Sequence, residues 1–273
     1  MKTLKPFLMS AILLLAVACN NEKAPKVLVL YFSQNGTTKA VAEEIQARLG
    51  ADIEAIVPVN AYDGDYAATI ARSREEREGA VLPELQPLAS DISSYDIIFL
   101  GYPIWFGTYA QPLATLLANQ DFAGKKVVPF CTFGSGGLDA SVKAIAEKLP
   151  DAQVLPGYGV RAARIAAAPA EIDMFLKENG FIKGDFTPLQ DFPEQHPASE
   201  EEAAIFDAAV GGYPMIKAMA TMVSSREIPD GTEYLFTAVN LPREDMPDMP
   251  VREMKVYVKA VEGQAPEFTQ VVR

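Results

Sequence analysis

Three short stretches hold the residue types that could do chemistry. "SQNGTT" (33–38) places Ser33, Asn35, Thr37 and Thr38 around Gly36. A helical pattern follows at once, so these side chains would meet free N–H groups and the positive end of a helix dipole, the makings of a phosphate cradle. The stretch lacks the lysine and wider glycine spacing of a nucleotide P-loop and the repeated glycines of a dinucleotide fingerprint. Asn and Thr before a helix are also ordinary caps, and that reading stands beside the first. "YPIWFGTY" (102–109) sets Pro103, Ile104, Trp105 and Phe106 ahead of Gly107, and Trp105 is the only tryptophan. A tryptophan there either packs or offers a flat platform to a planar ring. "TFGSGG" (132–137) holds Thr132, Phe133, Gly134, Ser135 and Gly136. So many glycines are costly to order, and their expected use is to bring backbone N–H and C=O groups against the edge of that ring.

Other residue types exclude much else. The chain has one histidine and two cysteines, Cys19 and Cys131. Zinc sites built on histidine or cysteine and nucleophilic triads are therefore not expected, and no catalytic acid or base stands out. His196 lies in "FPEQHPASE", a proline-flanked polar stretch, and reads as a surface residue of a linker. With 36 acidic against 24 basic residues the net charge is −12. Such a surface repels nucleic acid and disfavours polybasic membrane contact. It suits docking to basic patches on a redox partner, although a merely solvated acidic face explains it as simply. The chemistry is expected to come from a bound cofactor.

The elements that must position these loops alternate along the chain. "KVLVLYF" (26–32), "ADIEAIVPV" (51–59), "YDIIFLGYPIW" (95–105), "KKVVPFCTF" (125–133) and "AQVLPGYGV" (152–160) are apolar runs of strand length. Between and after them lie helical patterns: "TTKAVAEEIQARLG", "YDGDYAATIARSREEREG", "TYAQPLATLLA", "DASVKAIAEKL" and "APAEIDMFLKENG". Five strands separated by helices predict an α/β fold, a doubly wound parallel sheet with right-handed crossovers. The three loops then converge at the carboxyl ends of strands one, three and four, where such sheets bind ligands.

On these three loops, in this order and spacing, residues 26–182 resemble the flavodoxin family, in particular the bacterial branch with "YPIW" in the second loop. The resemblance implies a five-stranded sheet of order 2-1-3-4-5 and non-covalent FMN. Ser33, Asn35, Gly36, Thr37 and Thr38 match its phosphate loop. Pro103, Ile104 and Trp105, with neighbouring Phe106, match its ring platform, and Thr132, Phe133, Gly134, Ser135 and Gly136 match its third loop. The tyrosine that often covers the ring's outer face has no counterpart here unless Phe133 takes part, so a more exposed ring is expected. The function implied is FMN-dependent electron transfer. A quinone or nitro-compound reductase shares every motif, and a non-redox binding lipoprotein is the rival from another class.

The two ends carry separate expectations. "MKTLKPFLMSAILLLAVAC" has Lys2 and Lys5, then an apolar core shorter than the ~20 residues of a membrane span, and reads as a secretory signal over 1–18. "LAVAC" is similar to the lipobox of bacterial lipoproteins. That implies lipidation of Cys19, a tether over 19–25 and anchoring at a membrane face of the cell envelope; the alternative is ordinary secretion with Cys19 left in the discarded peptide. Residues 183–198, rich in Pro and acids, read as a linker. From 199 to 273, a capping box at Ser199 and Glu202 opens a helix, and alternating stretches follow as about four antiparallel strands. A small α+β domain results, weakly similar to the cystatin fold, with no inhibitory loop to carry that family's activity over.

Overall fold

The computed structural model describes residues 24–63, 65–242 and 250–273. The signal segment and Cys19 lie outside the described residues. The first body is a sheet of β1 (Val27–Tyr31), β2 (Asp52–Ala55), β3 (Ile97–Trp105), β4 (Thr108–Tyr109), β5 (Lys126–Phe133), β6 (Gln153–Val154) and β7 (Tyr158–Arg161). The order is β2-β1-β3-β5-β6, with β7 also pairing β5, and all of these pairs are parallel. That is the expected 2-1-3-4-5 order. Leu28, Leu30, Ile98 and Leu100 face one side of the sheet, and Val29, Phe99, Val128 and Phe130 face the other. Both faces are covered, which is why these strands read as continuous apolar runs.

The first side is packed by α3 (Gln111–Asn119) and α4 (Leu138–Lys148), through Leu113, Leu116 and Ile145. The second is packed by α1 (Thr37–Leu49) and α5 (Ala168–Glu178), through Val41, Ile45, Ile172 and Leu176. α2 (Tyr66–Glu78) opens on Asp65, whose carboxylate accepts the Ala68 N–H at 2.9 Å.

Two expected elements differ in detail. The fifth strand is broken: the Leu155 N–H still reaches Val127 O at 2.9 Å, but Pro156 has no N–H to continue the ladder. Pairing resumes at Tyr158, opposite Phe130. The helix expected from Thr108 starts at Gln111, because Thr108 and Tyr109 fold back antiparallel on Trp105 and Ile104.

The second body is a sheet of order β12-β11-β10-β9-β8 with α6 (Glu200–Val210) on one face. Its strands are β8 (His196–Pro197), β9 (Ala218–Ile228), β10 (Gly231–Asn240), β11 (Glu253–Val261) and β12 (Glu267–Val272), all antiparallel. The four longer strands and the helix are those expected. The capping box forms in full, Ser199 and Glu202 exchanging bonds with each other's backbone. β8 falls inside the stretch read as a linker. That stretch lies on the sheet: Gln195 Nε2 donates to Leu235 O at 2.7 Å, and Phe192 packs against Tyr257. His196 stays exposed, 3.6 Å from Glu202. Among the described residues no helix is long and apolar enough to cross a membrane, and no group of His, Cys, Asp and Glu could hold a metal ion.

Candidate functional site

In the first sheet the chain winds one way from β1 to β2 and the other way from β3 onward. The crevice outside the carboxyl ends of β1 and β3 is therefore the topological switch point. The three loops meet there. Thr38 Oγ1 and Thr132 Oγ1 lie 2.8 Å apart and join the first loop to the third. The Phe32 ring meets Trp105 edge-on at 5.6 Å, joining the first to the second. A Cβ built on Gly137 would lie 2.8 Å from Ile104 Cγ2, so the second and third loops touch.

The first loop leaves polar groups without partners. α1 is preceded by Gly36 in a left-handed conformation, and this N-cap residue has no side chain to bond the first turn. Beyond Thr37, its first-turn N–H groups are consequently left open at the switch point. Asn35 Oδ1 accepts from the Thr37 hydroxyl at 2.9 Å and, at 3.3 Å, from the Thr37 N–H. Ser33 Oγ is buried and has no partner. A buried hydroxyl without a hydrogen bond costs about 1–3 kcal/mol, and an anion at this helix end would satisfy it together with the N–H groups. Asn35 and Gly36 are exposed and Thr37 half-buried, so they remain within reach. Thr38 and Thr132 are not: both are buried and spend their hydroxyls on each other.

The second loop is a two-residue β-hairpin. Trp105 pairs with Thr108 across Phe106 and Gly107, and both turn residues have positive φ, 51° and 79°. A turn of this hand fits the strand twist, but it suits glycine and strains phenylalanine. Arg77 of α2 compensates by donating from Nη1 to Phe106 O at 3.0 Å, and the guanidinium carbons of Arg74 and Arg77 stand 5.9 and 5.7 Å from the Phe106 ring. Trp105 is half-buried and packs edge-on against Tyr62 at 5.0 Å. Tyr62 is itself buried, and burial, with its bond to Glu76 at 2.6 Å, pushes its hydroxyl far above the ordinary range. Pro103 and Ile104 are half-buried beneath this hairpin, and Phe106 is exposed.

In the third loop Phe133 is 4% exposed and belongs to the core. Its ring cannot serve as an outer cover, and any contact it makes with a ligand runs through its backbone. Cys131, just before, is fully buried, and burial pushes its thiol up, so it stays protonated and unreactive. Gly134 is exposed, and Ser135 and Gly136 are half-buried. The ionisable side chains of the three loops are the tyrosines Tyr102 and Tyr109 of the second, and burial pushes both hydroxyls up.

Several contributors had no sequence signal of their own. Tyr62, Arg77 and the last strand of the chain reach the loops from 28 or more residues away, through contacts that periodicity does not report. Trp105, by contrast, was findable from its rarity.

A family model described as Flavodoxin matches residues 26–170. Among solved structures, a protein described as a flavoprotein from Bacteroides uniformis is 28% identical, with a TM-score of 0.50 over 55% of this chain and 99% of that one. One similarly described from Bacteroides eggerthii is 30% identical, with a TM-score of 0.47 over 55% of this chain and 98% of that one. A flavoprotein in complex with FMN from Lactobacillus acidophilus is 27% identical, with a TM-score of 0.45 over 54% of this chain and 99% of that one. No curated protein matches the chain.

Proposed function

Because the chain belongs to the flavodoxin family, we propose that its first domain binds FMN at the switch point and carries electrons for a redox partner at the cell envelope. The rule that ligands sit outside the carboxyl ends at such a point is itself commonly illustrated with flavodoxins. FMN supplies the one- and two-electron chemistry; the protein supplies binding, orientation and electrostatics. The observation that carries the reading is the orphaned Ser33 Oγ beside the uncapped start of α1. Together with Asn35, Gly36 and Thr37 it holds the phosphate. Trp105 and Phe106 on one side, and the backbone of Gly134, Ser135 and Gly136 on the other, hold the ring. With no carboxylate, imidazole, amine or thiol in the three loops, they offer no ready general acid or base, which favours electron transfer over acid–base chemistry on a substrate.

The acidic surface, with a net charge of −12, favours a partner whose docking patch is basic. Cys19, in its lipobox-like setting, is the lipid attachment point that keeps the protein at a bacterial membrane.

The test is a pair of fluorescence titrations of apoprotein with FMN and with riboflavin, which lacks the phosphate. Hydrogen bonds to a charged group are worth about 1.5–3 kcal/mol each. FMN should therefore bind at least a hundredfold more tightly than riboflavin, on the scale of about 1.4 kcal/mol per tenfold. Ser33→Ala and Thr37→Ala should weaken FMN by about tenfold or more while leaving riboflavin nearly unchanged. Equal affinity for the two flavins in the wild type overturns the assignment of the phosphate loop.

A further inference from the structure

The third loop is held from outside its own domain. β12 is the edge strand of the second sheet, and the Val271 N–H that faces away from β11 donates to Ser135 O at 2.6 Å. Arg161, at the end of β7, stands between the domains. Its Nε donates to Gly134 O at 3.0 Å and its Nη1 to Phe268 O at 2.9 Å, while its guanidinium carbon lies 3.4 Å from the centre of the Phe268 ring. Beside it, Arg164 bridges Glu171 of the first domain, at 2.8 Å, and Glu267 of β12, at 3.0 Å. The approach is too close for side chains. A Cβ on Gly136 would lie 2.1 Å from Val271 O, and one on Gly134 would lie 3.0 Å from the Tyr213 hydroxyl. Gly136 of "TFGSGG" is thus required by the second domain, whatever else it does, whereas at Gly134 the Tyr213 hydroxyl would have to give by only a few tenths of an ångström.

This contact fixes more than distance. A trans peptide is planar, with its C=O and N–H on opposite sides, and no peptide bond described here is cis. Once the carbonyls of Gly134 and Ser135 are held by Arg161 and Val271, the Ser135 N–H must point away from the Arg161 guanidinium, itself bonded to Phe268 of the second domain, and the Gly136 N–H away from Val271. Among the described residues neither N–H has an acceptor.

We propose that the C-terminal domain is a clamp on the third loop, orienting the Ser135 and Gly136 N–H groups for the flavin ring, so that ring binding and interdomain docking are thermodynamically coupled. The proposal rests on the FMN reading and extends it: Arg161, Val271 and Glu267 are positioning residues, acting on the ring through the loop. Coupling of this kind is reciprocal, so a ligand that needs the docked loop must also tighten the docking.

The experiment reads docking and ligand binding separately on the full chain. Docking is followed as hydrogen exchange of the Val271 amide, and binding as FMN and riboflavin affinity. In the wild type either flavin should slow Val271 exchange, and inorganic phosphate alone should not. Glu267→Arg sets a second cation beside Arg164 without touching the loop. It should speed Val271 exchange in the apoprotein and weaken FMN and riboflavin by the same factor, about tenfold. Glu267→Gln, which keeps an acceptor for Arg164, should stay within about twofold of the wild type.

Faster Val271 exchange with both affinities unchanged overturns the clamp and leaves the FMN reading standing. A loss confined to FMN places the effect in the phosphate loop and also overturns it. A wild type that binds neither flavin overturns both readings. If Glu267→Arg leaves exchange unaltered, Val271→Pro deletes the donor itself, and unaltered flavin affinity in that variant overturns the proposal.

Discussion

Trp105 is the only tryptophan of the chain, so its emission reports directly on the second loop. Its ring is braced edge-on by Phe32 and Tyr62 rather than free to swing. A braced aromatic offers a ligand a surface that needs little ordering on binding. FMN should quench the indole emission, and stripping the cofactor should restore it. Aromatic pairs are worth roughly 0.5–1.5 kcal/mol beyond the area they bury, so Trp105→Ala should weaken FMN and riboflavin alike, by about tenfold. Loss of FMN affinity with riboflavin unaffected would remove Trp105 from the ring site. The tryptophan was recognisable in the sequence because it is rare and stands between Pro103 and Gly107. Its bracing by Tyr62 was not, because that contact joins loops 43 residues apart and leaves no period to read.

Two elements are tied at the site by one hydrogen bond. Thr38 stands in the first turn of α1, Thr132 is the second-last residue of β5, and their buried hydroxyls meet at 2.8 Å. Thr38→Val should destabilise the protein by about 1–3 kcal/mol, because the Thr132 hydroxyl is left buried without a partner. Replacing both by valine should recover most of that loss, since an isosteric apolar pair has nothing left unsatisfied. Chemical denaturation of the single and double variants measures this, and additive losses would show that the two hydroxyls do not depend on each other. Here too the sequence told half: both threonines stand out as small polar residues at element ends. Their spending on each other, rather than on a ligand, follows from strand order, which brings residues 94 positions apart into contact.

At the scale of the whole molecule the expectations concern place and partner. If Cys19 carries lipid, the wild type should partition with membranes and Cys19→Ala should be released, as fractionation of expressing cells will show. A wild-type protein already free of the membrane would contradict the anchor. The acidic surface makes a second expectation on the same footing. Electron exchange with a basic acceptor should slow as ionic strength rises, because the Debye length falls from about 10 Å at 0.1 M to about 3 Å at 1 M.

What the sequence determined by itself is what short-range physics writes into it. Strands buried on both faces must be apolar throughout, amphipathic helices must repeat every three or four residues, and Ser199 with Glu202 spells a helix start that forms as read. The same logic placed three unusual loops at one sheet edge. Only the tertiary structure decided how those loops are used. It broke the fifth strand at Pro156, sank the Phe133 ring into the core, and drew the end of the stretch read as a linker, His196–Pro197, into a sheet. It also laid the last strand of the chain against Gly136, with its Val271 carbonyl where a Cβ would stand. A glycine in the sequence records that something comes close. Whether a ligand or a distant strand does so is set by packing between domains, which composition and spacing do not encode.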